Sequence, residues 1–82
     1  MATNRRNEIT NTIVKEIGVI SETAGGYKKE LNLVSWNNSQ PKYDIRDWSE
    51  DHSRASKGIT LTLEELTILK DLIEKELETI QK

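Results

Sequence analysis

The most regular hydrophobic pattern of the chain lies in two central segments, residues 28–36 (KKELNLVSW) and residues 42–48 (KYDIRDW). Apolar and polar residues alternate in both, and a period of two predicts a β-strand with one apolar face. The connection NNSQ predicts a hairpin turn, because Asn37 and Asn38 tolerate the left-handed backbone that tight turns need. We therefore expect two paired antiparallel strands.

The two faces of this hairpin differ in chemistry. One face is apolar and consists of Leu31, Leu33, Tyr43 and Ile45. The other combines cations, an amide and two indoles, in the set Lys28, Asn32, Trp36, Lys42, Arg46 and Trp48. A surface that neutralises phosphates and stacks bases needs cations and aromatic rings together. We expect this second face to be exposed and to bind nucleic acid, although tryptophans at strand ends can also be half-buried caps of a core.

Further elements flank the hairpin. Residues 12–21 are rich in β-branched residues and predict a first strand, although their isoleucine spacing also fits a short helix. Residues 59–61 predict a short last strand. Thr62 and Glu65 match a capping box before a helical apolar repeat, so residues 62–80 predict a helix. The expected fold class is α+β, a four-stranded curved antiparallel sheet followed by one C-terminal helix.

Two segments carry no hydrophobic period. Residues 1–10 are polar and predict a flexible N-terminal arm, which leaves residues 11–82 as one domain. The polar loop of residues 49–58 is long for so small a domain, and loops of that length are usually functional or mobile.

The C-terminal helix has an apolar stripe that a small sheet cannot cover along its whole length of about 30 Å. The stripe consists of Leu66, Leu69, Ile73, Leu77 and Ile80. Contiguous exposed apolar surface usually marks an interface. We expect a homodimer through this helix, with folding of the helix onto its own sheet as the alternative.

Composition narrows the class of protein. The 82 residues include no cysteine and one histidine, which argues against disulfides and against a zinc cluster. No apolar run approaches the ~20 residues needed to span a bilayer, and the N-terminus lacks a signal-peptide core. We expect a cytoplasmic protein, associated with the nucleoid if it is bacterial, with no cofactor, no metal, no small-molecule substrate and no membrane contact.

Charge is distributed unevenly along the chain, whose formal net charge is −2. Up to Leu61 nine basic residues face eight acidic ones, whereas from Thr62 onward three face six. The predicted sheet is therefore the more basic part, although acids also lie on its cationic face. Further candidate cations for binding are Lys57, which precedes Gly58, and Lys15 and Lys29. Arg46, between Asp44 and Asp47, can either pair with a carboxylate or clamp a phosphate.

Catalytic and metal sites find little support in the sequence. Asp51, His52 and Ser53 are contiguous, but a nucleophilic triad is assembled in space and not along the chain. Asp44 and Asp47 are three positions apart in a strand and so lie on opposite faces. We expect no enzymatic activity.

The segment KELNLVSWNNSQPKYDIRDWSEDHSRASKGITLTLEELTILKDLI resembles the bacterial YdbC-like proteins, which group with the eukaryotic coactivator positive cofactor four. The resemblance covers about residues 14–73, and its most diagnostic parts are YDIRDW, KGITLT and the closing helix. It implies a β-β-β-β-α homodimer that binds single-stranded DNA with little sequence preference. It also assigns strand binding to Arg46 and Lys57 and places family aromatics at Trp36 and Trp48.

Pattern and resemblance together predict a single-stranded-DNA-binding protein that acts in transcription, replication or repair, with RNA as a further ligand to be tested. The rival hypothesis is a protein-interaction adaptor that uses the exposed apolar stripe of the helix.

Overall fold

The computed structural model describes residues 11–81, which form four strands and one helix. The elements are β1 (Asn11–Glu22), β2 (Lys28–Trp36), β3 (Lys42–Trp48), β4 (Ile59–Leu61) and α1 (Leu63–Ile80). The strands form one antiparallel sheet in the order β1-β2-β3-β4. The predicted α+β class and element order are confirmed, and residues 12–21 belong to a strand. The predicted flexible arm of residues 1–10 lies outside the described residues.

Strand β1 pairs irregularly with β2. Its register shifts between Ile13 and Lys15, between Glu16 and Gly18, and between Val19 and Ser21. Each such bulge bends the strand and increases its twist, so β1 curves the edge of the sheet.

The hairpin between β2 and β3 forms as the sequence predicts. Asn37 and Asn38 have φ angles of 53° and 63°, in the left-handed region. The backbone N–H of Ser39 donates to the carbonyl of Trp36 at 2.9 Å, which closes the turn. The register that follows pairs Leu31 with Ile45 on the apolar face.

Helix α1 begins at a complete capping box. The Thr62 hydroxyl accepts a hydrogen bond from the Glu65 N–H at 3.1 Å, and the Glu65 carboxylate accepts one from the Thr62 N–H at 2.9 Å. Leu66 and Leu69 of the first turns are half-buried beside the apolar face of β3 and β4. No helix of residues 11–81 is long and apolar enough to cross a membrane.

Burial is distributed between the two sheet faces in the opposite sense to our prediction. The best buried residues lie on the face predicted to be exposed: Glu30, Asn32, Val34, Asp44 and Trp48. The apolar face is only half-buried in the single chain. Strong curvature encloses the side chains of the face predicted to be exposed. Within the described part of the chain, the apolar face is in contact only with the start of α1.

Candidate nucleic-acid interface

The two indole rings lie together on one face of the sheet. The ring centroids of Trp36 and Trp48 are 6.3 Å apart, and the ring planes differ by 15°. Trp48 pairs with Lys28 at the far end of β2 from Trp36. That length of β2 spans about 26 Å when fully extended, since a strand rises about 3.3 Å per residue. The rings can meet only because the strands curve strongly, so this face is concave.

Arg46 lies beside this pair of rings and is held by several neighbours. Its Nε atom donates to Asp44 Oδ1 at 2.7 Å, and its Nη2 atom donates to Asp44 Oδ2 at 2.8 Å. The guanidinium carbon lies 4.5 Å from the centre of the Trp36 ring, in cation–π geometry. Of the two roles that the sequence leaves open for Arg46, carboxylate pairing is the one that this structure contains.

The chain before β4 packs closely over Arg46. The Ser56 carbonyl accepts a long hydrogen bond of 3.4 Å from Arg46 Nη1. A Cβ atom at Gly58 would overlap the Arg46 Cβ atom and the Ile45 carbonyl oxygen. Glycine at this position therefore lets the backbone approach Arg46 and the Ile45 carbonyl closely.

An open groove of about 410 Å³ runs beside Trp36 and Arg46. Its lining consists of Trp36, Ser39, Gln40, Lys42, Arg46 and Thr60. The groove combines an aromatic ring, an exposed amine, a guanidinium and short polar side chains. It thus offers a stacking surface, positive charge and hydrogen-bonding groups to one elongated polar ligand.

Trp48 and Asn32 are buried, so the prediction that they lie on an exposed surface is wrong. Each is only 1% exposed, because the concave face encloses them. The His52 ring covers Trp48 with a centroid distance of 5.5 Å. Asn32 donates from Nδ2 to Glu30 Oε1 at 3.0 Å and so belongs to an internal polar network. In this conformation neither side chain can be contacted directly by a ligand.

Glu30 is the centre of that network. His52 Nε2 lies 2.9 Å from Glu30 Oε1. The Glu30 residue is buried and only 6% exposed. Burial raises the pKa of Glu30, but the hydrogen bonds from Asn32 and His52 and the charges of His52 and Lys28 outweigh it. The net result is a pKa below the ordinary value of 4.5.

The contiguous Asp51, His52 and Ser53 form no catalytic relay. Asp51 accepts hydrogen bonds from the Ser53 N–H at 2.9 Å and from the Ser53 hydroxyl at 2.7 Å. These bonds, with a further one from Ser49, lower the pKa of Asp51 to about 2. His52 contacts Glu30 instead. Within residues 11–81, no group of three or more His, Asp and Glu side chains could hold a metal ion.

The candidate lysines fall into different environments. Lys42 and Lys57 are exposed, and Lys28 is half-buried opposite Trp48. Lys29 lies on the other face, with its Nζ atom 3.3 Å from Asp47 Oδ1. Lys15 is exposed, but it pairs with Leu33 of the apolar face. By register, Lys28 and Lys42 lie on the concave face at opposite ends of the hairpin, while Lys15 and Lys29 lie on the other face.

The apolar stripe of α1 is largely uncovered in the single chain. Ile73, Leu77 and Ile80 are 47%, 42% and 64% exposed. A gap of about 310 Å³ separates the helix from the sheet, and its lining is almost wholly apolar. The lining residues are Ile20, Leu31, Ile45, Leu66, Leu69, Lys70, Ile73 and Glu74.

Several residues of the site were missed by pattern reasoning. Ser39, Gln40 and Thr60 line the groove, although nothing in their local sequence distinguishes them from ordinary turn and strand residues. Asp44 as the partner of Arg46 could have been found, because residues two apart in a strand share a face.

Among residues 11–81, the indole Nε1 atoms of Trp36 and Trp48 are buried and have no hydrogen-bond acceptor.

Comparison with known proteins identifies a family and a bacterial relative to which this chain is similar. The sequence model of the family described as Transcriptional Coactivator p15 (PC4) matches residues 24–72, which include β2, β3, β4 and the first half of α1. A protein of Treponema pallidum (strain Nichols), described as an uncharacterized protein, is 43% identical to this chain over 61 residues. That alignment covers 74% of this chain and 72% of the Treponema protein.

Proposed function

The chain belongs to the Transcriptional Coactivator p15 (PC4) family, and we propose that it is a non-enzymatic protein that binds single-stranded DNA with little sequence preference. Transcription, replication and repair are the processes that expose such strands. The observation that carries the proposal is the groove in which Trp36 lies beside Arg46 and Lys42.

Trp36 is the proposed stacking residue. It is partly exposed and lines the groove, whereas Trp48 is buried next to it with its ring nearly parallel. Every base has a π face, so stacking on an indole contributes ~1–3 kcal/mol per base without reading its sequence. Such an arrangement accounts for binding that tolerates any base order.

Lys28, Lys42 and Lys57 are the proposed phosphate contacts. The first two lie on the concave face, and Lys57 is exposed on the chain segment that crosses Arg46. If each neutralises one phosphate per subunit, the logarithm of the binding constant should fall with the logarithm of salt with a slope near −2, on the rule of ~−0.7 per phosphate.

The helix stripe is the proposed homodimer interface. Ile73, Leu77 and Ile80 are exposed and, with the half-buried Leu66 and Leu69, form an apolar stripe that the chain itself covers only in part. Contact with a second copy would remove that surface from water and would place two concave faces in one particle.

Tryptophan fluorescence during titration with oligo-dT tests the proposal. We expect quenching, a salt slope near −2 per subunit on the single-strand rule, and much weaker binding of a duplex of the same length. Weak binding that does not depend on salt, with unchanged emission, contradicts it. A parallel titration with oligo-rU shows whether the protein also binds single-stranded RNA.

The adaptor hypothesis is supported by the same exposed helix stripe and remains the second candidate. Replacement of Lys42 and Lys57 by Gln separates the two functions. A DNA-binding protein loses affinity for every sequence roughly equally, whereas an adaptor keeps its protein partner.

A further inference from the structure

The Arg46 guanidinium is paired with a carboxylate that has no access to solvent. Asp44 is 0% exposed, and the Arg46 side chain is 16% exposed. The two side chains meet in a bidentate, fork-to-fork geometry at 2.7 and 2.8 Å. A buried carboxylate is stable only when it is paired, so Asp44 holds this cation persistently.

The remaining contacts of Arg46 fix the orientation of its plane. The Trp36 ring lies 4.5 Å away on one side, and the Ser56 carbonyl accepts from Nη1. Gly58 packs against the Arg46 stem, where even a methyl group would overlap it. The guanidinium is thus immobilised against an indole before any ligand arrives.

Charge pairing changes what such a group can contribute to binding. The salt dependence of strand binding reports the counterions that are released when free cations meet phosphates. A guanidinium that a buried carboxylate already neutralises adds little to that release. Its planar surface and its contact with Trp36 are unaffected by the pairing.

We propose that Asp44 is a positioning residue that makes Arg46 a charge-balanced support for Trp36, so that Arg46 promotes base stacking and is not a phosphate contact. The proposal rests on the function proposed above and assigns the electrostatic part of binding to the lysines. Of the two roles that the sequence leaves open for Arg46, it rejects the phosphate clamp.

The salt slope of oligo-dT binding distinguishes the two roles. Arg46→Gln should weaken binding about tenfold at every salt concentration with an unchanged slope, because stacking is lost and charge release is not. Arg46→Lys keeps the charge but not the bidentate plane, and it should be as weak as Arg46→Gln. Lys42→Gln is the matched control, and its slope should be shallower by about 0.7. A similar decrease in Arg46→Gln, with recovery in Arg46→Lys, overturns the proposal.

A double variant guards against misfolding. Asp44→Asn combined with Arg46→Gln replaces the ion pair with a neutral amide pair and leaves no lone buried charge. The wild-type slope is expected for it, and a slope shallower by about 0.7 contradicts the proposal.

The free protein supplies an independent readout. Two stacked indoles give an exciton couplet in far-ultraviolet circular dichroism, which should shrink in Arg46→Lys and persist in Lys42→Gln. An unchanged couplet in Arg46→Lys overturns the positioning role. Failure of the wild type to bind oligo-dT instead defeats the proposed function, and the couplet still decides whether Arg46 positions Trp36.

Discussion

His52 anchors the loop of residues 49–58 to the sheet through Glu30, with Nε2 at 2.9 Å from one carboxylate oxygen and 3.1 Å from the other. His52 adopts a φ angle of 63°, in the left-handed region, and its ring covers Trp48. The contact closes the buried end of the concave face.

The first prediction concerns this carboxylate. Glu30→Gln should lower the free energy of unfolding near neutral pH by about 1–3 kcal/mol, since it removes charge-assisted hydrogen bonds from a buried site. The folded-state pKa of Glu30 lies below 4.5, so folding favours the ionised form. Its stabilising contribution is complete above the ordinary pKa and is lost as the pH falls through the folded-state pKa.

Urea denaturation of the wild type and Glu30→Gln across a pH series measures this effect. The difference between them should shrink below pH 4.5. Glu50→Gln, at an exposed loop position, is the control and should stay close to the wild type throughout. A difference that grows toward acid pH would refute the assignment.

A second prediction separates the two tryptophans. Trp36→Ala should lose oligo-dT affinity and keep most of its stability, because Trp36 is partly exposed. Trp48→Ala should lower the free energy of unfolding by about 3–5 kcal/mol, the usual cost of truncating a buried aromatic. Thermal denaturation and DNA titration of both variants provide the comparison, and equal losses of stability would contradict it.

The close approach at Gly58 gives a third prediction. Gly58→Ala should destabilise the fold by about 1–3 kcal/mol, as overpacking does, and should weaken DNA binding by displacing Arg46. Gly25→Ala is the matched control, because a Cβ atom there meets nothing within 4 Å. If both variants unfold at the same denaturant concentration, the packing account is wrong.

A fourth prediction concerns assembly. Leu77→Asp should convert a dimer into a monomer, because it puts a charge into the apolar stripe. Thr79→Asp adds the same charge about 200° further around the helix and should leave the dimer intact. Sedimentation equilibrium measures both masses, and a wild type that is already monomeric would eliminate the proposed interface.

The strands and the helix follow from local pattern. Period-two alternation predicts β2 and β3, and the pair Thr62 and Glu65 predicts the start of α1. A curved sheet is also predicted, but the degree of its curvature depends on bulges in β1 and on twist accumulated across the sheet, which no period in β2 or β3 encodes. The burial of Asn32 and the nearly complete burial of Trp48 follow from that degree of curvature. For Trp48, burial at a strand end is the alternative that the sequence leaves open.

The sequence predicts which carboxylate can pair with Arg46, but it does not predict that the pairing occurs. Asp44 shares its strand face and Asp47 does not, so spacing alone favours Asp44 among the neighbouring acids. Whether a carboxylate or a phosphate holds the guanidinium depends on how deeply Asp44 is buried. That burial is a property of the whole sheet.

The central claim is that Trp36 and the concave face contact the DNA strand. Heteronuclear NMR during oligo-dT titration tests it most directly, with a Trp36→Phe variant to assign the two indole Nε1–H signals. We expect the Trp36 indole signal and the amides of β2, β3 and β4 to shift most, while those in the outer half of α1 stay in place. Shifts confined to α1, with an unmoved Trp36 indole, would contradict the account.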